Sequence, residues 1–286
     1  MTESTSKDHF EIRLAKEDEI QFLCDLAAGE GWNPGLRDIE CFYQADKTGF
    51  FIGLLNEEPI ACISAVKYGA DYGFVGFYIV REQWRGKGYG LSIWDYALNS
   101  LSGRIVGLDG VVDQQDNYIK SGFKLSHRNI RFEGTARAQG KKAPGLVDVK
   151  SLPLEQIMAF DAGCFFQERK DFLKAWLGEE GHQGFAAVDG DKIRGYGLVR
   201  PFFDGYKTGP LFADDPVVAN DVFDALCAAI EGNTIILDVP ENNTEGLLLA
   251  ERYGLVQSFE TARMYKGGSI NLPLDRIYGI TSFELG

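Results

Sequence analysis

Apolar and polar positions alternate over Phe10–Leu14, which predicts a short strand, and Ile20, Leu23, Cys24 and Ala27 then recur at helical spacing across 17–28. Gly29-Glu-Gly-Trp-Asn-Pro-Gly35 breaks that period, and 36–45 resumes it as a second short helix. Positions 49–55 and 60–68, joined by a turn at 56–59, read as a hairpin, with Tyr72–Val80 as the next strand. Leu91, Trp94, Leu98 and Leu101 then mark a helix whose apolar stripe faces a core. Because that helix intervenes, the short buried strand at 104–109 is expected to run parallel to 74–80. A helix at 113–121 and a strand at 123–133 complete the series.

Positions 134–145 carry almost no apolar side chain and read as a linker. The plan then repeats: strand 146–149, helices 154–160 and 169–177, a hairpin of 184–188 with 192–200, helix 217–230, strand 234–239 and helix 243–253. Strand 105–109 followed by Tyr-Ile-Lys-Ser-Gly-Phe at 118–123 is echoed by 235–238 followed by 249–255. Two copies of one fold are therefore expected, divided as 1–137, a linker at 138–145, and 146–286. A closing strand at 277–285 is expected to be shared with the first copy.

Between Tyr72–Val80 and the helix at 91 lies Gln-Trp-Arg-Gly-Lys-Gly-Tyr-Gly, 83–90. Glycine tolerates positive φ, so Gly86, Gly88 and Gly90 at a helix entrance leave amide N–H groups pointing outward. With the helix dipole these make an anion site suited to phosphate; the alternative is a tight turn with no ligand. Arg85 and Lys87 between the glycines favour the anion. The second copy has Gly209-Pro-Leu-Phe-Ala-Asp-Asp-Pro216 here, with two prolines that lack donors and two carboxylates that repel phosphate.

Composition narrows the function classes. The chain has 286 residues and a formal net charge of −13, which argues against nucleic acid as a partner. Residues 1–145 hold 17 basic and 20 acidic side chains and 146–286 hold 12 and 22, so the second half is the acidic one. The five cysteines, Cys24, Cys41, Cys62, Cys164 and Cys227, form no Cys-x-x-Cys pair, and the three histidines no ligand spacing; no disulfide framework and no metal site are expected. No apolar run reaches the roughly 20 residues of a membrane span, and the polar start, 1–9, lacks a signal core. A cytoplasmic protein with no membrane partner, monomeric or homodimeric, is expected. His127 is expected to be structural.

Gln83-x-x-Gly86-x-Gly88 between the fourth strand and a helix, followed by strand, short helix and Tyr118-x-x-x-Gly122-Phe123, resembles the GNAT acetyltransferase family over 10–133, and 146–286 is similar to the non-catalytic second copy of its tandem members. The resemblance implies a mixed α/β (α+β) class: two GNAT-like folds, each a mostly antiparallel twisted sheet with one parallel, splayed strand pair and flanking helices. It implies acetyl-coenzyme A as co-substrate, its pyrophosphate held by Arg85, Gly86, Lys87, Gly88, Tyr89 and Gly90. Ile79 and Val80 would pair with the pantetheine arm, and Tyr118 would protonate the departing thiolate. The family's common fourth-strand carboxylate is absent from Tyr72–Val80. Asp109 is the first candidate base, with Glu30, Asp113 or a water chain behind it. The family's Asn before the tyrosine falls on Val111, so Gln114 and Asn117 are expected to take over that coenzyme contact.

The acceptor implied is a small-molecule primary amine, walled by Glu30, Trp32, Asn33 and Phe77; Trp32 alternatively serves only as a packed lid. Two other readings remain open: a non-catalytic acyl-coenzyme A sensor or interaction protein, and a dinucleotide-binding enzyme. The second is weakened because Gly-x-Gly-x-x-Gly from Gly86 meets Leu91 where glycine is required, and no Walker loop is present.

Overall fold

The structure, a computed structural model, describes residues 8–140 and 145–286. Residues 1–7, and 141–144 of the expected linker, lie outside the described residues. The first half runs β1 (Phe10–Leu14), α1 (Gln21–Gly29), α2 (Asp38–Ala45), β2 (Phe50–Leu55), β3 (Glu58–Tyr68), β4 (Tyr72–Val80), α3 (Tyr89–Ser100), β5 (Ile105–Val111), α4 (Gln115–Lys120) and β6 (Lys124–Thr135). The second half repeats the order. It runs β7 (Leu146–Asp148), α5 (Leu154–Phe165), α6 (Lys170–Gly178), β8 (Gln183–Asp189), β9 (Lys192–Phe202), β10 (Gly205–Ala213), α7 (Pro216–Ala229), β11 (Thr234–Pro240), α8 (Thr244–Arg252), β12 (Val256–Lys266) and β13 (Ile277–Gly279).

The sequence pattern does not reveal β10 or β12. Pro210 sits inside β10, where the register with β9 slips between Thr208 and Leu211, so its missing N–H falls at an irregularity and not in the ladder. Along β12 the first four residues are exposed and 261–265 are all buried, so no two-residue alternation develops.

Thirteen strands form one sheet, ordered β1-β2-β3-β4-β5-β12-β6-β11-β10-β9-β8-β7, with β13 beside β10. Pairing is antiparallel except for β4 with β5 and β10 with β11. This mixed sheet, preceded by an antiparallel meander, removes the dinucleotide-binding alternative, which needs a doubly wound parallel sheet.

The halves exchange their last strands. β6 leaves the first half to pair with β11, and β12 takes the place beside β5. The division at 138–145 remains a proposal about the sequence repeat, for the ladder runs across it. Two buried ion pairs fasten the exchange, Arg131 with Asp238 at 2.7 Å and Asp109 with Arg263 at 2.6 Å, and a third, Asp38 of α2 with Arg200 of β9 at 2.8 Å, ties the halves elsewhere. Phe42 of α2 stacks on Trp176 of α6, ring centroids 5.6 Å apart, so the core is also continuous between halves.

The closing strand expected at 277–285 is a correction: only Ile277–Gly279 is strand, and it pairs with β10 of the second half. The chain beyond it does reach the first half, where the Leu285 carbonyl accepts from the Tyr68 hydroxyl at 3.1 Å.

Candidate functional site

β4 and β5 pair in parallel only from Tyr72–Ile105 to Val75–Leu108. Ser64 of β3 faces Gly76 while Cys62 faces Ile79, so β4 carries one extra residue there. Phe77 absorbs it at φ +49°, a backbone region that aromatic residues rarely adopt. Past this bulge the tip of β4 swings away from β5 and opens a cleft of about 930 Å³.

At one end of the cleft lies the glycine loop. Gly86 and Gly88 take φ of +74° and +90° with nothing within 4 Å of an added Cβ, so what requires glycine there is backbone conformation. α3 begins directly after Gly88 with no side-chain cap. Among the described residues, the N–H groups of Gly86 to Leu91 donate to no protein acceptor. Six unpaired donors at the positive end of a twelve-residue helix have the chemistry an anion site requires.

The corresponding place in the second half is closed. The Asp215 carboxylate accepts from the N–H groups of Val217 and Val218 and caps α7. β13 lies against β10 at Leu211 and Phe212, filling the side that stays open along β4.

Arg85 is braced: its Nε donates to the Val80 carbonyl at 2.8 Å and its guanidinium pairs with Glu30. Lys87 Nζ lies 4.4 Å from the Trp84 ring. The Tyr89 ring turns away and stacks on Phe10 at 4.7 Å, leaving only its N–H at the loop. Ile79, Val80, Trp32, Asn33 and Phe77 all border the cleft. The Phe77 ring itself packs on Phe42 in the core, and the Asn33 carbonyl accepts from Lys207 Nζ at 3.1 Å. Gln114 and Asn117 bond to each other at 2.8 Å, and of the two only Gln114 borders the cleft.

Tyr118 borders the cleft from α4, its ring tilted by 31° against Trp94 with centroids 5.6 Å apart. Gly110 makes room for it, since a Cβ there would fall 2.2 Å from the tyrosine ring. Burial, and secondarily Tyr78, push its phenol up to about 12.

Asp109, the first candidate base, is not an unpaired carboxylate. Its buried carboxylate takes two hydrogen bonds from Arg263, at 2.7 and 2.6 Å, and one from Asn129 at 2.9 Å. Burial raises its pKa and the guanidinium opposes that rise. With its oxygens so engaged it holds β12 against β5 and is not poised to take a proton. Glu30 is likewise committed, to Arg85. His127 is buried with its pKa lowered to about 3, chiefly by burial, which keeps it neutral.

The far end of the cleft was not legible in the sequence. Phe259 and Thr261 of β12, Arg131 of β6, and Phe283 and Glu284 line it. Phe259 and Phe283 stand 6.2 Å apart, with the Arg131 guanidinium 4.6 Å from the Phe283 ring. The strand exchange brings Phe259, Thr261 and Arg131 here, and a repeat pattern in the sequence carries no signal for it; Phe283 and Glu284 arrive on the segment after β13, which the sequence reading did expect to reach the first half. Among the described residues no group of three or more His, Cys, Asp or Glu side chains is placed to hold a metal ion. No helix among them is long and apolar enough to cross a membrane.

Two family models match the chain: the acetyltransferase (GNAT) family over residues 14–118 and an acetyltransferase (GNAT) domain over 157–279. The holothin acyltransferase of Pseudoalteromonas sp. (strain SANK 73390) is 33% identical over 273 residues, covering 95% of this chain and 93% of that protein. A Pyrococcus horikoshii crystal structure bearing an acetyltransferase name superposes with a TM-score of 0.84 at 24% identity, over 100% of this chain and 99% of that one. The tandem GNAT protein of the clavulanic acid biosynthesis pathway superposes with a TM-score of 0.64 at 14% identity, over 92% and 100%.

Proposed function

The chain belongs to the GNAT acetyltransferase family as a tandem member and is an acyltransferase; from that premise we propose that it moves acetyl from acetyl-coenzyme A to the primary amine of a small molecule, by direct attack in a ternary complex. The observation that carries this reading is the row of unpaired N–H groups at Gly86 to Leu91 beside the splayed tip of β4. Those donors suit a pyrophosphate, and the free side of Ile79 and Val80 suits an extended pantetheine arm, added like another strand. Gly86 and Gly88 leave the space such a group needs. The second half has both features filled by its own Asp215 and β13, which supports one coenzyme site for the whole chain.

In the proposed reaction a neutral amine attacks the thioester carbonyl, the C–N bond forms and the C–S bond breaks. An amide N–H at the tip of β4 stabilises the developing oxyanion. Tyr118 gives its proton to the departing thiolate, and the surplus proton on the new amide nitrogen restores the phenol. The acceptor enters from the end lined by Phe259, Phe283 and Thr261, which suits a compact, partly apolar amine. Holothin, named for the relative, is the first acceptor to try.

Thiol release from acetyl-coenzyme A, followed across holothin and a panel of small amines, tests the reading. Amine-dependent release is expected. Coenzyme binding by calorimetry with no release for any amine would instead leave the sensor reading.

A further inference from the structure

At pH 7 less than about 0.1% of a simple alkyl amine is neutral, so an amine transferase needs a group that takes a proton from the bound ammonium. β4 carries no carboxylate, Asp109 is locked to Arg263 and Glu30 to Arg85. The family's fourth-strand acid is therefore missing, and neither of these two carboxylates replaces it.

We propose that Glu284, delivered by the segment that follows β13, is the proton acceptor for the amine; the proposal rests on the acetyltransferase reading above. Glu284 is 3% exposed and lines the cleft. Its Oε2 is buried and accepts no hydrogen bond among the described residues. A buried carboxylate oxygen with no donor is costly, and that cost is removed when an ammonium or amine N–H enters the cleft.

Its placement matches the vacancy on β4. A Cβ built on Gly76 would fall 2.3 Å from the Glu284 carbonyl, so only glycine lets this segment lie directly on the strand, one residue before the bulge at Phe77. The other carboxylates on the cleft, Glu133 and Asp113, are half-buried and exposed respectively and have water to satisfy them. The charged and titratable groups acting on Glu284 from neighbouring elements are Lys207 of β10, Arg131 of β6 and Cys24 of α1. Arg131 is already neutralised by Asp238, and burial lowers Lys207 to about 8 while its Nζ donates to the Asn33 carbonyl. Neither cation makes a hydrogen bond that would occupy the free oxygen.

The proton balance is simple. R–NH3+ gives one proton to the Glu284 carboxylate and becomes the neutral nucleophile; the resulting carboxylic acid releases that proton to water before the next turnover. No oxidant or further reactant is consumed.

The isosteric Glu284→Gln variant tests this. Relative to wild type, kcat/KM for the amine should fall about 10²-fold or more at neutral pH. The deficit should shrink as pH rises and the free amine grows. Acetyl-coenzyme A affinity by calorimetry should stay within about twofold, and Glu284→Asp should recover part of the rate. Glu284→Gln activity within about threefold of wild type across the pH range overturns the assignment alone. A Gly76→Ala variant, which displaces the Glu284 backbone, should lower turnover with the same pH signature; wild-type turnover there would also contradict the placement. If wild type makes no amide with any acceptor, the acetyltransferase reading fails and the base with it.

Discussion

Replacing Gly88 by Asp would give α3 the kind of carboxylate that Asp215 already presents to α7, closing the first half's anion site as the second half's is closed. Gly88 is the residue before the first turn of α3 and has no neighbour within 4 Å of an added Cβ, so the side chain fits. Its φ of +90° costs Ala about 1–2 kcal/mol of stability, and Asp, which tolerates positive φ better and can cap the helix, less than that. Binding suffers differently. A carboxylate about 4 Å from a phosphate charge repels it by about 4 kcal/mol at the effective dielectric of a protein surface, and solvent exposure leaves about half. One amide diverted to cap the helix forfeits a charge-assisted bond of about 1.5–3 kcal/mol. Together these amount to about 4 kcal/mol, or about 10³-fold in affinity. Calorimetric titration of acetyl-coenzyme A into wild type, Gly88→Ala and Gly88→Asp separates the two effects, with thermal unfolding as the control. Gly88→Asp should lose binding far beyond Gly88→Ala although it loses no more stability. An affinity for Gly88→Asp within threefold of wild type would refute the anion site.

Asp109→Asn leaves the buried Arg263 without its partner and should cost about 3–5 kcal/mol of stability by denaturant unfolding, part of it recovered with Arg263→Met; unchanged stability with lost activity would make Asp109 the base after all. Tyr118→Phe should lower kcat about 10²-fold and spare coenzyme affinity. Since burial pushes the Tyr118 phenol up to about 12, it stays protonated through about pH 10, and kcat of wild type should show no alkaline fall by then; a fall centred near 10 would place the phenol in water. Residues 1–137 alone lack β12, Phe283 and Glu284, so that fragment should be inactive and unfold without cooperativity, as judged by thiol release and denaturant melts; an active fragment would contradict the exchanged sheet.

The glycine loop at one end of the cleft was legible as a strand-turn-helix unit because its signals are local. Gly86, Gly88 and the helix stripe from Leu91 specify a strand-turn-helix unit within about twenty residues, and the loop's function resides in its backbone. The position of Tyr118 on a short helix was legible for the same reason, whereas nothing in the local pattern marks Gly110, which admits its ring from β5. The other end of the cleft was not legible as a site, because Phe259 and Thr261 reach it through pairing between strands more than a hundred residues apart, and Phe283 and Glu284 on a non-strand segment that lies across Gly76. The same exchange explains why the partner of Asp109 was not legible: the carboxylate at a strand end looks free until Arg263 of β12 is set beside it. β12 itself is disguised by burial on both faces over 261–265. Phe77 borders the cleft, yet its ring belongs to the core and the bulge turns its backbone toward the cleft.

The central claim, one acetyl-coenzyme A site in the β4–β5 cleft serving a small amine, is tested most directly by the mass of the product. Wild-type protein incubated with acetyl-coenzyme A and holothin, or the best amine of the panel, should yield the amine bearing one acetyl group on nitrogen, with one equivalent of free coenzyme A. Unmodified amine throughout the panel, with the coenzyme bound but intact, would contradict the account.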